Sequence, residues 1–113
     1  MSVSEDFPQP KFDVQEEDVD ERTRIIDAGG EIHVSTAPRF SVLLDSAIGR
    51  GKTAVVLDLS EVEFIDSTGL GGLLELRSTL RARNVVLEIV AGDGPVRQAV
   101  EITGLAELLA PAG

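Results

Sequence analysis

The sequence predicts an α/β fold: one mixed β-sheet of about four to five strands in the order β-β-α-β-α-β-α, with helices mainly on one face. Three observations carry this reading. The run Ala54-Val55-Val56-Leu57-Asp58-Leu59 is apolar almost throughout, as in a central parallel strand. Just before it, Ala37, Phe40, Leu43, Leu44, Ala47 and Ile48 recur at helical spacing, and Leu70, Leu73, Leu74, Leu76 and Leu80 do so after it. A second apolar run, Val85 to Val90, then closes another strand-helix-strand unit.

The elements follow in order. Residues 1–10, with Pro8 and Pro10 and little apolar content, read as a flexible acidic tail, and residues 11–113 as a single domain. Phe12 and Val14 alternate with polar neighbours and predict a strand over 11–16. Asp18-Val19-Asp20-Glu21 is a turn. Thr23, Ile25 and Ile26 mark a strand over 22–28, whose charged neighbours suit a sheet edge. Gly29-Gly30 breaks it, and Glu31-Ile32-His33-Val34 resumes it. Ser35 or Thr36 caps the first helix, 36–49, with Pro38 in its first turn. Gly49-Arg50-Gly51 ends that helix. The strand over 53–59 is expected to be buried on both faces and joined to its predecessor by a right-handed crossover. A short loop leads to the second helix, 68–83, where Arg77, Arg81 and Arg83 favour the negative end of the helix dipole. Val85 to Val90 form a fourth buried strand. Pro95 opens a third helix that carries Val96, Ala99, Val100 and Ile102, and Gly104 ends it. Leu105, Leu108 and Leu109 form a short closing helix or anchor.

A chain of 113 residues bounds the answer to one core. It has no cysteine and one histidine, so disulfides, thiolate sites and histidine-rich metal sites are excluded, and no metal or cofactor is expected. The net charge is −10. Residues 1–21 hold eight acids and one base, so the acidity is mostly N-terminal. Such a balance argues against nucleic acid or an anionic membrane surface as a partner. No apolar run approaches the roughly 20 residues that span a membrane, so no insertion is expected. The first residues carry no secretory signal, and a cytoplasmic location is expected.

Several motifs compete for a function. Gly49-Arg50-Gly51-Lys52-Thr53 ends like a phosphate-binding loop, but Ser46 stands where the first glycine belongs, and the segment links a helix to a strand. Gly69-Leu70-Gly71-Gly72 lacks the third glycine of a dinucleotide fingerprint. A serine hydrolase would need His33 beside Ser67, without the small flanking residues of a nucleophile elbow. Asp58, Glu63 and Asp66 could hold a metal, although a structural hydrogen bond from Asp58 is simpler. Ser67 stands at a helix start, where backbone N–H groups lack partners. Its hydroxyl can cap the helix, or carry a phosphate that the helix end tolerates.

Val55-Val56-Leu57-Asp58-Leu59-Ser60 followed by Phe64-Ile65-Asp66-Ser67-Thr68-Gly69-Leu70-Gly71 resembles the core of the STAS domain. The likeness is greatest to the small, free-standing bacterial anti-sigma factor antagonists. Gly30-Glu31-Ile32 with Thr36-Ala37, and Val96-Arg97 with Ile102-Thr103-Gly104-Leu105 and Leu108, extend it to roughly residues 12–110. The resemblance implies a STAS-like mixed sheet and a protein that is not an enzyme. It implies that the unphosphorylated form binds an anti-sigma factor serine kinase and frees the sigma factor. Phosphorylation of Ser67 would switch binding off, and a metal-dependent serine phosphatase would reverse it. On the same resemblance Asp66, Thr68, Gly69 and Leu70 join Ser67 in the partner-binding surface. One position departs: His33 stands where the family usually has Asp, close to the phosphorylated loop. Thr68, where many members carry a second Ser, is a secondary acceptor. The alternative keeps the fold but makes the chain a constitutive scaffold, a subunit of a signalling or lipid-transport assembly.

Overall fold

The computed structural model describes residues 12–110, so the expected tail over 1–10 lies outside the described residues. The chain starts with a hairpin of strands β1 (Phe12–Asp18) and β2 (Thr23–Ile32). They are antiparallel, with Phe12 opposite Gly30 and Asp18 opposite Arg24. Their turn is fixed locally, because Asp20 Oδ1 accepts the N–H groups of Arg22 and Thr23, each at 2.8 Å. Helix α1 (Ala37–Ile48) crosses to strand β3 (Ala54–Ile65), and helix α2 (Ser67–Ala82) crosses to strand β4 (Val86–Val90). Helix α3 (Pro95–Val100) continues through a wide turn, Glu101–Leu105, and a 3-10 turn, Ala106–Leu108. β2 and β3 are parallel, as are β3 and β4, and the sheet order is β1-β2-β3-β4. The mixed sheet and the order of elements are those expected.

Three local expectations are corrected. β2 is an inner strand, not an edge. The hairpin occupies one of its sides and the β2-α1-β3 crossover fills the other, so the edges are β1 and β4. Gly29-Gly30 does not break β2, which runs on to Ile32. A Cβ at Gly29 would lie 3.0 Å from Asp13 Oδ1 and 3.4 Å from the Glu61 Cβ, so glycine leaves room here for the side chains of the two neighbouring strands. β3 does not stop at 59 before a loop; it reaches Ile65. Its pairing with β2 shifts between Asp27 and Gly29, and again between Gly30 and Glu31. At the first shift Asp58 Oδ1 accepts Ser60 N–H at 2.8 Å, a local bond that supports the bulge. Each extra residue resets the alternation, so Leu59 and Val62 are both buried.

The core lies on one face of the sheet. Ile26, Leu57 and Ile89 pack there against Phe40 and Leu44 of α1, Leu73 and Leu80 of α2, and Val100 and Leu105 beyond them. The Phe12 ring meets Phe40 edge-on at 5.2 Å. The expectation that 53–59 is buried on both faces is corrected too. Val55, Leu57 and Leu59 are buried, whereas Ala54, Val56 and Asp58 are only half-buried. β4 alternates likewise, and Val86 stays 68 % exposed. The reason is topological. Both crossovers advance across the sheet in the same direction, and crossovers of one handedness then place their helices on one side. The closing residues cover part of the β4 edge, where Leu109 pairs with Ile89 and Ala110 N–H donates to Ile89 O at 2.8 Å.

Arg24 joins the hairpin to the end of α1. Its Nε donates to Asp18 Oδ1 at 2.6 Å and its Nη1 to Ala47 O at 2.6 Å, while Lys52 Nζ lies 3.2 Å from Asp18 Oδ2. These cations, Arg24 first, push the Asp18 carboxyl from 3.8 down to about 2. A depressed folded-state pKa gives stability that is complete above the ordinary value and is lost as pH falls through the lower one. Acid titration of the melting temperature should therefore fall between pH 3.8 and about 2, and Arg24→Met should flatten that limb. Gly69 gives a second test. A Cβ there would sit 2.7 Å from Ile32 Cγ2, 2.8 Å from Ile65 Cγ1 and 3.0 Å from Ile32 O. Gly69→Ala should cost about 1–3 kcal/mol in urea unfolding. Gly71→Ala, with nothing near its Cβ, should gain about 0.5–1 kcal/mol.

Candidate functional site at the start of the second helix

The site is assembled where β3 ends and α2 begins. Ile65 is buried, and Asp66 N–H donates to Ile32 O at 3.0 Å, which ties the residue after β3 to the end of β2. Asp66 is extended (φ −104°, ψ −175°) and is the N-cap of α2. Its Oδ1 accepts Gly69 N–H at 3.0 Å, and its Oδ2 accepts Val34 N–H at 3.1 Å. Gly69 N–H, with Val34 and Thr68 N–H adding to it, holds the Asp66 carboxyl below the usual carboxylate range. The capping role read for Ser67 thus belongs to Asp66. Ser67 becomes the first residue of the helix, and its side chain is free of the cap.

The other expected residues divide between surface and support. Ser67 and Thr68 are exposed side by side. Gly69 is buried against Ile32 and Ile65, and lets the helix start close to β2. Leu70 is half-buried and packs against the core, and its N–H donates to Asp66 O at 2.9 Å. His33 stands in the β2–α1 loop, half-buried. Its Nδ1 accepts Ser35 N–H at 3.2 Å, and its ring lies 6.3 Å from the Phe64 ring. Among the described residues no hydrogen bond joins His33 to Ser67, so the pair offers no general base for a hydroxyl nucleophile. Thr36, the other side chain considered as a cap, is spent on the loop. Its Oγ1 donates to Glu31 O at 2.6 Å and accepts His33 N–H at 2.9 Å.

Two exposed apolar side chains near this site were not read from the sequence as surface. Phe64, whose place in the motif suggests an anchor for the loop, is 49 % exposed, and Val34 is 68 % exposed. The anchor is Ile65 alone. The second pairing shift in β3 turns Phe64 outward, and only the register of a neighbouring strand could have signalled it. On the other side of the hydroxyls, a groove of about 320 Å³ runs between α1 and α2. Ala37, Phe40, Thr68, Gly71, Gly72 and Glu75 line it. The arrangement is a helix start that presents two hydroxyls, with a carboxylate behind them and apolar surface on either side. Groups on the helix axis there favour added negative charge, while Asp66 opposes it.

The comparisons with known proteins agree with this architecture. The STAS domain profile matches residues 14–112. The anti-sigma-B factor antagonist of Listeria monocytogenes is 33 % identical over 100 residues, covering 87 % of this chain and 84 % of the relative. The crystal structure of an anti-sigma factor antagonist from Mycobacterium paratuberculosis superposes with a TM-score of 0.79 at 29 % identity, covering 90 % of this chain and 87 % of the other. The anti-sigma factor antagonist SpoIIAA in its unphosphorylated form superposes with a TM-score of 0.73 at 22 % identity, covering 89 % of each chain, and so shares the fold. With the sheet order, the placement of the helices and the profile match in accord, the chain belongs to the STAS domain family.

Proposed function

We propose that the chain is an anti-sigma factor antagonist that works by reversible docking, with Ser67 as its phosphorylated switch. The observation that carries this is the position of Ser67. It is exposed at the first turn of α2, and Asp66 has taken the capping bond that would otherwise occupy its hydroxyl. The hydroxyl is then available to another protein's active site. The names of the relatives, from the Listeria protein to the mycobacterial one, support the same role. The unphosphorylated chain binds an anti-sigma factor serine kinase and so releases a sigma factor. A phosphate on Ser67 adds about −1.5 to −2 charges to the docking surface and ends binding. A metal-dependent serine phosphatase restores the binding form. Thr68, exposed beside Ser67, is the secondary acceptor. His33, Asp66 and Leu70 belong to the same surface, with Gly69 beneath it. The chain acts by binding, in the cytoplasm; among its described residues no helix is long and apolar enough to cross a membrane.

The test uses a cognate anti-sigma kinase and ATP. Wild-type chain should take up one phosphate, mapped by mass spectrometry to Ser67. Ser67→Ala should lose most of that uptake, leaving only a minor label at Thr68, and Thr68→Ala should retain most of it. In calorimetry Ser67→Asp should bind the kinase at least about tenfold more weakly, as a like-charge or desolvated-charge contact requires. If Ser67→Ala is labelled as fully as the wild type, and Ser67→Asp binds as the wild type does, the switch reading fails. The constitutive scaffold then becomes the better account.

A further inference from the structure

Parallel strands are ordinarily covered on both faces. Here β2, β3 and β4 are parallel, and among the described residues helices cover only one face. The pairing register shows what the other face presents. One row crosses Glu17, Ile25, Val56 and Glu88. The row above it crosses Gln15, Asp27, Asp58 and Val90, and the row below crosses Thr23, Ala54 and Val86. Ile25, Ala54 and Val56 are half-buried and Val86 is exposed, so they form an apolar strip across the strands. Glu17 and Glu88 stand at its two ends, with Asp27 and Asp58 along one side. Asp13 and Glu61 extend the carboxylates into the next row, around Gly29. These rows contain no lysine or arginine.

The charge is held at a cost. Asp27 lies directly across from Asp58, and like charges in that relation are destabilising. Burial, and then the Asp58 and Glu17 carboxylates, push the Asp27 carboxyl upward. A surface of one sign around an apolar strip does not complement a second copy of itself. It complements a cation-bearing, apolar surface, and helices are the elements that cover parallel sheets. We infer that the open face of the sheet docks a basic amphipathic helix of a partner protein, its apolar residues on Ile25, Val56 and Val86 and its Lys or Arg residues beside Glu17, Asp27, Asp58 and Glu88. This surface spans the body of the sheet, whereas Ser67 stands beyond the C-terminal end of β3, so both can be engaged independently.

The probe is a synthetic helical peptide of about 18 residues built from Leu and Lys in an amphipathic pattern. Its Leu and Glu counterpart is the control, and the full chain is titrated by fluorescence anisotropy. The Leu/Lys peptide should bind and the Leu/Glu peptide should not. Glu17→Gln with Glu88→Gln should weaken binding by about tenfold. Asp45→Asn with Asp93→Asn, two exposed acids elsewhere, should leave it within about twofold, as distant surface charges do. Ser67→Asp should change nothing, which separates this outcome from the fate of the phosphorylation reading. The proposal is overturned if both double variants lose affinity equally, since the attraction is then diffuse. It is also overturned if deletion of residues 1–11 strengthens binding about tenfold, because the chain's own N-terminal segment would then be the occupant. Self-association that Val86→Glu abolishes would overturn it as well.

Discussion

The Asp66 carboxylate is the interaction on which the site depends. One oxygen accepts the Gly69 N–H and caps α2; the other accepts the Val34 N–H and holds the loop before α1. The backbone of the same residue is tied to Ile32. Three elements are therefore fixed relative to one another by one side chain and its peptide group. The two hydroxyls that follow inherit their exposure from it. Were Ser67 the cap, its oxygen would face the helix backbone and would be a poor acceptor for a group arriving from solvent. Gly69 completes the constraint from beneath, since no larger residue lets the helix begin this close to Ile32 and Ile65.

The second constraint is handedness. Two successive crossovers in the same direction put α1 and α2 on one face, and everything else about the surface follows. The first turns of α1 and α2 gather at the C-terminal ends of the parallel strands, where the loop residues and Ser67 meet. In open α/β sheets that end is the general place for binding, because helix starts converge there. Among the described residues the same handedness leaves the opposite face without a helix layer. The sequence of β3 is a compromise between these surroundings: Val55, Leu57 and Leu59 fill the core, and the described residues leave Val56, between Ile25 and Glu88, half-buried.

The order of elements was legible because helical and strand periods differ, and the apolar residues of α1 and α2 keep the helical one over three turns and more. The site was legible as a place, since a strand end, a small polar pair and a helix start are local features. What escaped were properties of pairing. Nothing local to Thr23–Ile32 says whether one neighbour or two will flank it. The continuation of β3 past Leu59 relies on two shifts against β2, and a shift is a relation between strands. Phe64 faces outward for the same reason, although its place in the motif suggests an anchor. The cap was misread because Asp66 and Ser67 are both good caps by type, and the choice rests on where the Val34 N–H comes to lie.

The Asp66 geometry also constrains how a phosphate on Ser67 would act. A helix start attracts an anion through its unpaired N–H groups. At α2 one of those groups, Gly69 N–H, already belongs to Asp66 and helps hold its carboxyl below the usual carboxylate range. A phosphate cannot take that bond without displacing a carboxylate that also secures Val34. Two anions held that close repel, so the phosphate group is directed away from the cap and toward solvent. On the proposed reading the modification would leave this capping arrangement in place and alter the surface beside Phe64, Val34 and the groove along α1. On the proposed reading the switch is electrostatic and is felt by the partner, whose own surface must meet two negative groups where it had met one.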